Sequence, residues 1–120
     1  MTASWLPRLT VPQAWMVLAV AIAFEVAGTV SMRLSDGFSR WVPSVLIFVF
    51  YAASFALNTM IINLLGLSVV YAVWSGVGTV ATALIGILYF KEPATALKMV
   101  SITLVVIGVF GLHSSSRGVA

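Results

Sequence analysis

From Trp41 to Phe90 the chain carries no charged residue, and that run limits the fold more than anything else in the sequence. As one continuous helix it would extend for about 75 Å, more than twice the roughly 30 Å hydrocarbon core of a bilayer. It must double back. The weakest stretch is Asn63 to Ser68, which contains Gly66, so one helix is expected at Trp41 to Leu65 and another at Leu67 to Phe90. A soluble alternative fails on composition. Of 120 residues, 62% are hydrophobic and 8% are charged, whereas a soluble domain carries roughly 25% charged residues to keep its surface wetted.

The charges punctuate the rest of the chain. Between Leu9 and Met32 the only one is Glu25, which gives a first helix from Ala14 to Met32, entered after Pro12 and closed by Arg33. Asp36 to Arg40 reads as a polar turn, and Lys91-Glu92-Pro93 breaks the chain before a last helix, Ala94 to His113. Residues 114–120 read as a flexible tail. The expected architecture is one all-α membrane domain over 1–120 with four spanning helices. An alternative takes the N-terminus as a secretory leader cleaved near Ala21-Ile22-Ala23, but the helical pattern continues through Glu25 to Met32. Trp5, Trp15 and Trp41 suit an interfacial belt. Arg8 and Arg117 face Arg33, Arg40, Lys91 and Lys98 across the membrane, a bias small enough to permit insertion in both orientations. The scattered basic residues form no nucleic-acid patch, and the absence of cysteine excludes disulfides and thiolate metal sites; neither cofactor nor metal is expected.

Glu25 is the residue that asks for a function. It lies about 16 Å along the first helix from Ala14, near mid-membrane, where an ionised group costs about 2.5 kcal/mol or more. No basic residue is available at that depth, so its partners are a proton or a cation from outside the chain. Ala21, Ile22, Gly28 and Thr29 share its helix face and leave space beside it. On the third helix Tyr71, Trp74, Ser75 and Gly78 fall on one stripe, and on the second Tyr51, Phe55 and Asn58 form another. Either stripe alone is ordinary packing. Several aromatic faces beside a buried carboxylate suit an organic cation held by Coulomb attraction and cation–π contact. No nucleophile, base and orienting group fall together, and His113 stands alone at a helix end, so an enzyme is not expected.

Glu25-Val26-Ala27-Gly28-Thr29, Met32-Arg33, Asp36-Gly37-Phe38-Ser39-Arg40, Pro43-Ser44-Val45, Tyr51-Ala52-Ala53-Ser54-Phe55 and Tyr71-Ala72-Val73-Trp74-Ser75-Gly76-Val77-Gly78 resemble the small multidrug resistance transporter family. The resemblance covers nearly the whole chain. It implies an antiparallel, dual-topology dimer that exports organic cations in exchange for protons across the bacterial inner membrane. Glu25 then resembles the glutamate that binds proton and substrate in turn, Tyr51, Tyr71 and Trp74 the aromatic residues around it, and Gly76 and Gly78 the hinge of the third helix. Ser101 and Gly108 match the small-residue pair through which the fourth helix dimerises, with serine in place of the usual glycine. Gly28-Thr29 is similar to the quaternary-ammonium exporters. Asn58, Arg33 and Gly66 depart from that pattern, which leaves open a paired heterodimer that exports polyamines or guanidinium-like metabolites.

Overall fold

Thr10 fixes the start of the first helix. Its hydroxyl accepts the Gln13 N–H at 3.3 Å, and the Gln13 side chain accepts the Thr10 N–H at 3.0 Å. This reciprocal capping box satisfies two of the N–H groups that a helix start leaves unpaired. In the computed structural model, which describes residues 8–119 and side chains as far as residue 115, α1 therefore runs Val11–Ser35 and begins ahead of the expected Ala14. Trp5 lies outside the described residues. Asp36, Gly37 and Phe38 follow with φ of 50°, 69° and 67°, and the Ser35 carbonyl accepts the N–H groups of Ser39 and Arg40 to close the turn.

α2 spans Trp41–Leu65 and α3 spans Leu67–Leu88, separated by Gly66 alone. Gly66 has φ 98° and ψ 141°, which an L-residue adopts only with strain. Its N–H bonds the Ile62 carbonyl and its carbonyl accepts the Val70 N–H, so one residue ends one helix and starts the next. α3 stops short of the expected Phe90. Lys91 turns left-handed at φ 62°, and the N–H groups of Phe90 and Glu92 reach back to Ile85 and Gly86. α4 spans Ala96–Val119. Its start is set by Thr95, whose hydroxyl accepts the Lys98 N–H at 3.1 Å; Pro93 therefore precedes the helix instead of opening it. Past His113, where a flexible tail is expected, the backbone stays helical because no glycine or proline interrupts it before Gly118.

All four helices are long and apolar enough to cross a membrane. α1 is central. It packs most extensively on α2 and also on α3, α2 and α3 touch each other, and α4 packs on α3. The core sits at one end, where Ala14, Leu18 and Ile22 of α1 meet Ile61 of α2 and Val70 of α3. A buried hydrogen bond from the Ser54 hydroxyl to the Ala21 carbonyl, 2.8 Å, ties α2 to α1 just beyond that core. Toward the other end, cavities lie between α1, α3 and α4. The Cα trace extends 42 × 36 × 17 Å, a flattened body whose faces carry apolar side chains outward, among them Trp41, Phe48, Leu97, Leu104 and Phe110.

Candidate functional site

Glu25 leaves α1 halfway along its length and points between α1 and α3. Its two carboxylate oxygens have different surroundings. Oε1 accepts the Thr29 hydroxyl at 3.2 Å, one helical turn on. Thr29 Oγ1 in turn lies 2.6 Å from the Tyr51 hydroxyl, reached from α2. A hydroxyl has one proton to give, and the Glu25 backbone carbonyl also lies 3.0 Å from Thr29 Oγ1; when the Thr29 proton goes to either Glu25 oxygen, it is Tyr51 that donates to Thr29. Oε2 is buried and has no hydrogen-bond partner among the described residues. It rests against Gly78 of α3, where a Cβ would lie 2.8 Å away. Only glycine lets the carboxylate sit there.

Beside that oxygen lies a cavity of about 280 Å³ lined by Glu25 and Thr29 and by the α3 stripe Tyr71, Trp74, Ser75, Gly78, Thr79 and Thr82. The hydroxyls of Ser75, Thr79 and Thr82 donate to the carbonyls of Tyr71, Ser75 and Gly78 at 2.7, 2.7 and 2.9 Å. Their protons are committed to the helix, and what they present to the cavity is acceptor oxygen. With a carboxylate on the facing wall, the cavity is built to receive donors or positive charge. One wall is aromatic: Tyr51 stacks on Phe55 at 6.0 Å, Phe55 meets Trp74 edge-on at 5.7 Å, and Trp74 meets Tyr71 at 5.8 Å. Among the described residues, buried Trp74 Nε1 has no acceptor and buried Asn58 Oδ1 no donor.

The expected residues separate into two groups. Glu25, Thr29, Tyr71, Trp74, Ser75 and Gly78 meet at the cavity. Tyr51 and Phe55 stand behind it, the first through the Thr29 hydroxyl and the second through the Trp74 ring. Ala21, Ile22, Gly28 and Asn58, expected to line the pocket, are buried away from its wall. α2 accounts for this at two of them: Ser54 covers the Ala21 carbonyl, and the Tyr51 ring lies 3.2 Å from where a Gly28 Cβ would stand. Gly76 and Gly78, expected as a hinge, lie in an unbroken α3 and admit the side chains of Val109 and Glu25 respectively. Ser101 and Gly108 are exposed on α4, and among the described residues nothing lies within 4 Å of where a Gly108 Cβ would stand. Thr79 and Thr82 were legible but missed: they continue the stripe of Ser75 and Gly78 by the same three- and four-residue steps. Among the described residues no group of three acidic or histidine side chains forms a metal site.

A second cavity of about 430 Å³ adjoins the first, sharing Thr29, Thr79 and Thr82, and reaches Arg33, Glu92 and Lys98 at the end of the molecule that carries the α1–α2 and α3–α4 connections. The core of Leu18, Ile22, Ile61 and Val70 lies toward the opposite end, where a further cavity of about 480 Å³ is lined by Trp15, Val73, Gly76 and His113 among others.

The sequence matches the family described as Small Multidrug Resistance protein over residues 13–105. It is 46% identical to an uncharacterized membrane protein, YvaE, of Bacillus subtilis, over 82% of this chain and 83% of that one. It is 41% identical to the multidrug resistance protein EbrA of Bacillus atrophaeus, over 82% and 94% of the two chains. It is also 37% identical to a guanidinium exporter of Yersinia pseudotuberculosis, over 86% and 99%. Multidrug and guanidinium proteins both stand among the relatives, so the similarity to quaternary-ammonium exporters does not extend to an assignment of subtype.

Proposed function

The chain belongs to the small multidrug resistance family of membrane transporters, and from that premise we propose that it exports organic cations across the bacterial inner membrane in exchange for protons, working as an antiparallel dimer. The observation that carries this reading is Glu25 Oε2: a carboxylate oxygen, buried and without a partner, beside a cavity walled by Tyr71 and Trp74. A carboxylate in a membrane is held by a proton or by a counter-cation. Both therefore compete for Glu25, and competition is what couples them. Loss of the proton opens the carboxylate to a cation, which the Trp74 and Tyr71 rings face. After the site reorients, protonation from the far side releases the cation. Trp74 and Tyr71 supply surface and orientation, Thr29 holds Oε1, and Gly78 keeps the room that Oε2 requires.

Two chains are part of the proposal because one chain makes only a layer. Its 17 Å thickness leaves the cavity open on a face that a second copy would cover, bringing two Glu25 side chains to one site. Reorientation then consists of exchanging two packed arrangements of the same helices between the subunits, with Gly76 and Gly78 proposed as the place where α3 bends.

A second reading of the substrate has its own support. The 37% identity to a guanidinium exporter and the acceptor-rich wall of Ser75, Thr79 and Thr82 suit a planar cation with several N–H donors as well as a quaternary ammonium with none. Proton release separates the readings. In weakly buffered detergent, tetraphenylphosphonium and phenylguanidinium are added in turn to the purified protein, and the pH is followed. The cation that expels protons from wild type and none from Glu25→Gln identifies the substrate class. Silence with both would refute the exchange.

A further inference from the structure

Arg33, at the end of α1, places its guanidinium against two groups from the α3–α4 connection. Nη1 donates to Glu92 Oε2 at 2.8 Å, and Cζ stands 4.7 Å from the centroid of the Phe90 ring. A carboxylate edge and an aromatic face are the two elements by which a site recognises a planar guanidinium. Here they lie in the wall of the 430 Å³ cavity that runs by Thr29, Thr79 and Thr82 to Glu25. We propose that Glu92 and Phe90 form an outer site for guanidinium-type cations, which the side chain of Arg33 occupies until a substrate displaces it. The inference rests on the reading of the chain as a cation exporter and adds where the cation is first received.

Three observations support displacement. The pair is exposed, with side-chain accessibilities of 54% for Arg33 and 40% for Glu92, and an ion pair in contact with water contributes little to stability. Arg33 is therefore retained weakly. Among the described residues the only side-chain hydrogen bond of Glu92 is the one from Arg33 to Oε2. Oε1 packs against Gly86 and accepts no hydrogen bond there, so a cation that replaces Arg33 meets a carboxylate with one oxygen still unused. The exchange is also neutral for the cavity. One guanidinium enters as another swings out on a long side chain toward the headgroups, and Lys98 is the remaining charged residue of this wall. A cation with no N–H cannot reproduce the contact with Glu92, so the outer site favours guanidinium over quaternary ammonium.

The test uses the full-length protein in detergent with 15N-labelled arginine, the Arg33 Nε–H signal being assigned by Arg33→Lys. Phenylguanidinium is titrated into Glu25→Gln, in which the inner site is disabled. The Arg33 signal is expected to shift and saturate in the millimolar range, with no response to tetraphenylphosphonium. In Glu25→Gln/Glu92→Gln the shift should be lost. Prepared with 13C-labelled glutamate, Glu25→Gln/Arg33→Gln, which lacks the internal competitor, should shift the Glu92 side-chain signal at a several-fold lower phenylguanidinium concentration than Glu25→Gln does. An Arg33 signal that stays still at every concentration, in a protein whose wild type answers phenylguanidinium by tryptophan emission, would overturn the outer site and leave the inner one intact. A shift at Arg33 in wild type, with no change in its tryptophan emission for either phenylguanidinium or tetraphenylphosphonium, would instead overturn the proposed exchange.

Discussion

Glu25 shows how little room the site allows. Its Oε2 occupies the space that a side chain at Gly78 would take, since a Cβ there would stand 2.8 Å from it. Gly78→Ala should therefore push the carboxylate out of the cavity without harming α3, because alanine is the better helix former. The expected result is a loss of tetraphenylphosphonium affinity of at least about tenfold, equivalent to about 1.4 kcal/mol, with the thermal midpoint in detergent little changed; an unchanged affinity would show that the contact is incidental. At this scale much of the site could be read in advance. Glu25 stood out because a lone carboxylate in an apolar helix has no structural use, and Tyr71, Trp74, Ser75 and Gly78 because helical spacing puts them on one stripe. Thr29 was on the right face of α1, but spacing could not reveal that its hydroxyl bridges Glu25 to Tyr51 of another helix. Ala21, Ile22 and Gly28 share the Glu25 face by the same spacing, yet that face is wide enough for α2 to cover one edge while the cavity takes the other.

The helices owe their limits to local chemistry that is only partly written in charge. Charged residues mark the α1–α2 turn and the α3–α4 connection, whereas the α2–α3 break is apolar and rests on Gly66 alone. At φ 98° with open space around it, Gly66 is required for its backbone and not for lack of room. Gly66→Ala should destabilise the protein by about 1 kcal/mol or more, seen as a lower thermal midpoint in detergent; an equal or higher midpoint would mean that the connection can be remade in an ordinary conformation. The starts of α1 and α4 were misplaced for one reason. Hydropathy locates the apolar stretch, but the first turn is set by the cap, Thr10 with Gln13 and Thr95 with the Lys98 N–H. Thr10-x-x-Gln13 was a visible signature. Thr95 was hidden by Pro93, itself a plausible first-turn residue.

The whole molecule is a layer with too little thickness to surround a path. In the isolated chain α4 buries no residue of its span, and its exposed side includes Leu97, Leu104, Ile107 and Gly108, as expected of a helix that another subunit or lipid must cover. Because the chain has no cysteine, a single Gly108→Cys gives an unambiguous report. It should form disulfide-linked or bismaleimide-linked dimers in membranes, whereas a cysteine at Val49, on the outer side of α2, should not; equal linking at both would remove α4 from the interface. The layer also explains why one charge outweighs the others. Among the described residues the other charged side chains stand at or near the ends of the helices, within reach of water and headgroups, and Glu25 alone stands midway along its helix. The claim that this carboxylate couples a cation to a proton is tested most directly in proteoliposomes with an imposed pH gradient. Wild type should accumulate a labelled organic cation against its own gradient and collapse that accumulation when the pH gradient is removed, and Glu25→Gln should do neither. Uphill accumulation by Glu25→Gln would contradict the exchange at this residue.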